Sequence, residues 1–215
     1  ETRNIVMANY SNDFSIENLE VIRRYQSNED NVFFAYSEFS YNTLVGAYEP
    51  FLDIICNMHR RFIGGSFDDF QKECGVYYLH RQVLNSYYET GECFREETVL
   101  LNEVAYEQRR MTMAIADMLK KLSEVKPLMI VINRFQMASK SSIETIKYLI
   151  DNPCANIGIV LGVNAIVKGT DSTVEVWDRI VESLEDRSAI YYIGSAGPLK
   201  NNVKTTNDDE LYITM

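Results

Sequence analysis

The segment Asn9–Ser15, reading NYSNDFS, separates an apolar run ending at Ala8 from a helical pattern of Ile16, Leu19 and Ile22. A polar turn that opens a helix can hold an anion, because unpaired backbone N–H groups and the helix dipole point at it. A turn that grips a nucleotide needs more: small residues around the phosphates, a lysine on the β/γ-phosphates and a hydroxyl on Mg²⁺. Here there is no glycine and no lysine. If Ser15 takes the hydroxyl position, Phe14 stands in place of the lysine and Asp13 in place of the preceding glycine; if Ile16 takes it, Ser15 replaces the lysine. Both registers lose the cation. Asp13 and Glu17 add two carboxylates around the helix start, where they favour the helix dipole and repel a phosphate. Asn9 and Asn12 tolerate left-handed backbone angles, so the turn can form without glycine. The structural alternative is a capped strand-to-helix turn with Ser15 as N-cap.

Other chemistry is sparse. The histidines are His59 and His80, and the cysteines Cys56, Cys74, Cys93 and Cys154 are scattered with no C-x-x-C pair. A zinc site needs clustered ligands, so none is expected. Scattered cysteines in a chain of 215 residues read as reduced and partly buried, which suits a reducing, cytoplasmic setting. The net charge is −10, and the basic pairs Arg23-Arg24, Arg60-Arg61, Arg109-Arg110 and Lys120-Lys121 have acids nearby. Nucleic-acid binding requires a basic surface and is not expected, nor is an anionic membrane surface. No apolar run approaches the ~20 residues that span a bilayer.

Five continuous apolar runs predict buried parallel strands: Asn4–Ala8, Val32–Tyr36, Leu128–Ile132, Ile157–Gly162 and Ala189–Ile193. Between them lie helical patterns. The first is Ile16–Tyr25. A second carries Tyr48, Phe51, Ile55, Met58 and Phe62, and Gly64-Gly65 ends it. A third runs from Tyr77 toward Tyr88. A long fourth carries Leu100 through Leu122, with Glu107 breaking its apolar stripe and Pro127 beyond its end. Ile143–Ile150 and Val174–Leu184 mark two more. Such alternation predicts an α/β sheet with right-handed crossovers, interrupted by a helical insertion at about 46–125.

The stretch KPLMIVINRFQMASKSSIETIKYLI resembles the Walker B region of STAND-type AAA+ ATPases, a P-loop NTPase group rich in signal-transduction proteins. The strand is Leu128–Ile132, the turn Phe135-Gln136-Met137-Ala138, and Ser141-Ser142 opens the helix. The opening segment falls at the Walker A place, YEPF resembles the family's aromatic-x-Pro-Phe helix start, IGIVLGVNAI the fourth strand with its sensor, and IYYIGSAGPLK the fifth strand and its exit. The resemblance implies an α/β, three-layer P-loop NTPase core: a five-stranded parallel sheet of order 5-1-4-3-2 with a helical insertion between strands 2 and 3. It places this core at 1–200, with 201–215 as a polar tail leading to a further domain of a longer protein.

The resemblance also carries the site over residue by residue. The family's metal-linked acid and catalytic acid fall on Asn133 and Arg134, and the sensor place reads Asn164-Ala165, without the family's arginine. Asparagine cannot supply the carboxylate that holds Mg²⁺. Arginine can pair with a phosphate but cannot act as a general base. Losses at all three places imply a pseudo-ATPase with no catalytic residue, no metal and no required cofactor. The degenerate nucleotide positions are Asn9, Asn12, Asp13, Phe14, Ser15, Asn133, Arg134 and Asn164. The expected role is a non-catalytic regulatory or scaffold module of a multidomain signalling protein, in contact with neighbouring domains or other proteins. The alternative is a switch that binds ATP or ADP weakly without hydrolysis.

Overall fold

The structure, a computed structural model, describes residues 5–10, 31–39, 46–92, 104–164, 189–192 and 204–205, with side chains described at 31–39, 46–92 and 104–163. The strands are β1 (Ile5–Tyr10), β2 (Phe33–Glu38), β3 (Leu128–Asn133), β4 (Ile157–Asn164), β5 (Ala189–Tyr192) and β6 (Lys204–Thr205). The described helices are α1 (Phe51–Met58), α2 (Phe67–Glu73), α3 (Tyr78–Thr90), α4 (Val104–Val125) and α5 (Lys140–Asp151). A π-helical turn, His59–Ile63, continues α1. The expected first and sixth helices, Ile16–Tyr25 and Val174–Leu184, lie outside the described residues.

The expected five-stranded, three-layer core is corrected on two counts. Backbone pairing joins six strands, all parallel, in the order β2-β3-β4-β1-β5-β6. The extra strand is Lys204–Thr205, paired with Tyr191-Tyr192, and two polar residues leave no hydrophobic pattern by which to foresee it. Moreover, the part whose side chains are described is a three-stranded parallel sheet, β2-β3-β4, with its helices packed into one shared core. It does not define a five-stranded sheet layered on both sides.

That core is built by alternation. Phe33 and Ala35 of β2, Ile130 and Ile132 of β3, and Ile159 and Leu161 of β4 share one face and one apolar cluster with α1, α4 and α5. The intervening Met129, Val131 and Val160, at 1%, 0% and 0% exposure, are buried on the other face. Burial on both faces is why β3 and β4 carry continuous apolar runs, whereas Phe34 and Tyr36 on the other face of β2 are only partly buried. Helix α4 packs on α1, α5 and β4, and its stripe Ile115, Met118, Leu119 and Leu122 is buried.

Local signals set the helix ends. Ser139 caps α5, its Oγ accepting from Ser142 N at 3.3 Å, and Ser66 caps α2 by accepting from Asp69 N at 3.2 Å. The π-turn ends at Gly64, whose φ of 70° suits glycine and whose N–H donates to His59 O at 2.8 Å. The start of α1 is clasped to α5: Tyr48 N donates to Ser141 Oγ at 2.9 Å, and Ser142 Oγ donates to Glu49 O. The YEPF and KSS motifs, 93 residues apart in the chain, thus meet in one polar joint.

Candidate functional site

Parallel strands bring their C-terminal ends to one edge of a sheet, which is where ligands bind in open α/β folds. In this chain the edge carries Tyr10, Glu38, Asn133 and Asn164, the last residues of the first four strands. Glu38 lies opposite Asn133, and Tyr10 lies opposite Asn164. Asn9 stands on β1 opposite Val163. Asn12, Asp13, Phe14 and Ser15 lie outside the described residues, as do the side chains of Asn9 and Asn164. Of the eight positions singled out from the sequence, the structure gives contacts for Asn133 and Arg134.

Those two residues sit in a polar cluster on the β2 side of β3. Asn133 is buried, at 6% exposure; its Nδ2 donates to Tyr36 Oη at 3.3 Å, and its Oδ1 accepts from Arg134 N at 2.9 Å. The Asn133 carbonyl accepts from Phe39 N at 3.2 Å. Arg134 turns the chain, at φ 54° and ψ 41°. Its Nη2 meets Glu38 Oε1 at 2.9 Å. Tyr36 Oη donates to the other oxygen, Glu38 Oε2, at 3.1 Å. Tyr36 and Glu38 share one face of β2, two residues apart, as strand periodicity requires.

Both oxygens of Glu38 are engaged, Asn133 bonds to Tyr36, and Arg134 pairs with the Glu38 carboxylate. The sequence reading did not single out Glu38 or Tyr36. The carboxylate was visible, but its partner follows from strand register, which no local pattern encodes. Hard cations take carboxylate oxygens; Asn133 has none, and the Glu38 carboxylate meets Arg134 and Tyr36. Among the described residues no group of three or more His, Cys, Asp or Glu side chains could hold a metal ion.

Arg134 gives a direct check. It occupies the left-handed region, where a Cβ costs about 1 kcal/mol and glycine costs little. Its ion pair is partly exposed, at 36% and 32%, and such a pair contributes about 0–1 kcal/mol. Arg134→Ala should lose the pair and keep the strain, whereas Arg134→Gly loses both. In urea unfolding the glycine variant should be the more stable of the two by about 1 kcal/mol.

Other titratable groups have structural surroundings. His80 Nε2 lies 2.7 Å from Glu107 Oε2, tying the start of α3 to the first turns of α4 and accounting for the acid that breaks the α4 stripe. Burial pushes the Cys74 thiol up to about 12, which keeps it protonated and unreactive at neutral pH. Burial, opposed by Lys120, raises the Asp117 carboxyl, and burial with a hydrogen bond to Asp53 raises the Tyr87 phenol. Among the described cysteines Cys56, Cys74 and Cys154 are free thiols.

No family model matches the chain, and neither a curated protein nor a solved structure does.

Proposed function

We propose that this chain is a non-catalytic regulatory or scaffold module of a larger multidomain signalling protein, acting through interdomain or protein–protein contacts. The observation that carries the reading is the Glu38–Arg134 pair, with Asn133 bound to Tyr36, at the strand ends where a nucleotidase would keep its metal acid and catalytic base. The cluster pairs its carboxylate with Arg134 and its amide with Tyr36, contacts that support a structural role for this strand end. The resemblance to STAND-type AAA+ proteins supplies the multidomain signalling context. Free thiols at Cys56, Cys74 and Cys154 favour a cytoplasmic setting. Among the described residues no helix is long and apolar enough to cross a membrane.

Phosphate release with ATP and Mg²⁺, together with calorimetric titration of ATP and ADP, tests the reading. No turnover and no micromolar heat of binding is the expected result. Turnover would overturn it, and micromolar binding without turnover would favour the weak nucleotide switch.

A further inference from the structure

His59 is fully buried at the head of the π-turn, at 0% exposure. Three rings enclose it: Phe67 at 5.1 Å and Phe70 at 5.2 Å from α2, and Tyr88 at 5.5 Å from α3. Its Nδ1 lies 3.2 Å from Tyr88 Oη, while its Nε2 is buried and meets no hydrogen-bond partner among the described residues. The charged group set against it on its own element is Arg60, whose guanidinium stacks 4.2 Å from the Tyr88 ring centroid and donates to Tyr88 O. From α2 the rings of Phe67 and Phe70 face it; Asp68 and Asp69 are engaged by Lys72, and Asp68 also by Asn85 and Arg81. From α3 it faces the Tyr88 hydroxyl.

A neutral imidazole fits this box, since it needs one good partner and Tyr88 supplies it. An imidazolium does not. Both ring nitrogens then carry protons, one acceptor is at hand, and the new charge sits beside Arg60 in an apolar enclosure. We propose that His59 is an acid-sensitive latch: its neutral ring holds the junction of α1, α2 and α3 closed, and protonation opens that junction while the β2-β3-β4 sheet stays folded. The limb is built to yield first. Helix α2 buries Phe67, Phe70 and Gln71, and α3 buries His80, Leu84 and Tyr87, whereas every residue of β3 is buried.

The sign follows from where the proton goes. Burial, and secondly Arg60, hold the folded-state His59 below its ordinary value of 6.5. Above that pH the ring is neutral whether the limb is closed or open, and closure is at full strength. As pH falls below it, the open state takes a proton that the closed state refuses. The opening constant then rises by up to about tenfold per pH unit. His80, the other buried histidine, has the Glu107 carboxylate at 2.7 Å and so lacks this arrangement.

Hydrogen exchange of the whole chain at pH 7.5 and 5.5, corrected for intrinsic rates, tests the latch. Opening of 59–90 should rise about tenfold, with no matching rise in 128–133 or 157–163. His59→Phe, which fills the box with a ring that cannot titrate, should abolish the rise. An equal rise in that variant, or none in the native chain, would overturn the proposal. Should His59→Phe fail to fold, imidazole nitrogen shifts of the native chain decide: a ring neutral at pH 6 supports the latch, and one titrating at its ordinary midpoint refutes it.

Discussion

Phe135→Ala should destabilise the chain by about 3–5 kcal/mol, enough to leave a domain of ordinary stability partly unfolded. Phe135 is fully buried at 0% exposure, directly after Arg134, and its ring lies 6.3 Å from that of Phe39. It opens the short 3₁₀ turn Phe135–Met137, and the hydrogen bond from Ala138 N to Phe135 O, at 3.0 Å, leads the chain into the Ser139 cap of α5. Phe135 therefore ties the exit of β3 to the end of β2 through its ring and leads into α5 through its carbonyl. Truncation leaves a cavity that three elements cannot collapse into together. Chemical denaturation reads the loss, and a cost under about 1.5 kcal/mol would show that the turn is held by its polar cluster instead.

Asn133→Asp is the second large effect, because it returns to the strand end the acid that a nucleotidase would use. Oδ1 already accepts from Arg134 N, and a carboxylate there keeps that bond. The second oxygen would then need the Tyr36 hydroxyl proton, which Glu38 already receives. Two carboxylates would compete for one proton at a position 6% exposed, with Arg134 offsetting part of the repulsion. The expected cost is about 2–3 kcal/mol at neutral pH. The introduced carboxyl should have a raised folded-state pKa. The cost is therefore fully present above that raised value, fades as pH falls through it, and is gone only below the unfolded value of about 3.9. Thermal melts from pH 4 to 8 measure it. A variant as stable as the native chain at pH 7 would mean that the cluster has room for a second acid, and with it a metal.

The sequence made part of this legible. Leu128–Ile132 reads as a strand because its continuous apolar run, buried on both faces, leaves no alternation to misread, and β3 extends it by Asn133. The apolar stripes of α1 and α4 mark helices in the chain between β2 and β3. Helix α2 was missed: its seven residues, FDDFQKE, hold only Phe67 and Phe70 as apolar marks, too few for a period. Its available signal was chemical, the Ser66 cap followed by Asp68 and Asp69 in the first turn. The same limit applies at the site. Asn133-Arg134 stands out through the Walker B resemblance, but Glu38 lies 95 residues earlier in the chain and becomes its neighbour only through the register of β2 on β3. Long-range pairing also explains the sixth strand, since Lys204–Thr205 is recognisable only by its backbone partners.

The central claim is that the strand-end cluster is structure rather than a nucleotide site. Nuclear magnetic resonance of the Arg134 guanidinium and the Asn133 side-chain amide tests it most directly, with ATP and ADP titrated to millimolar concentration, with and without Mg²⁺. The account predicts that both signals stay where the Glu38 and Tyr36 contacts put them. A saturable shift of Arg134 at micromolar nucleotide, showing the guanidinium leaving Glu38 for phosphate, would contradict it.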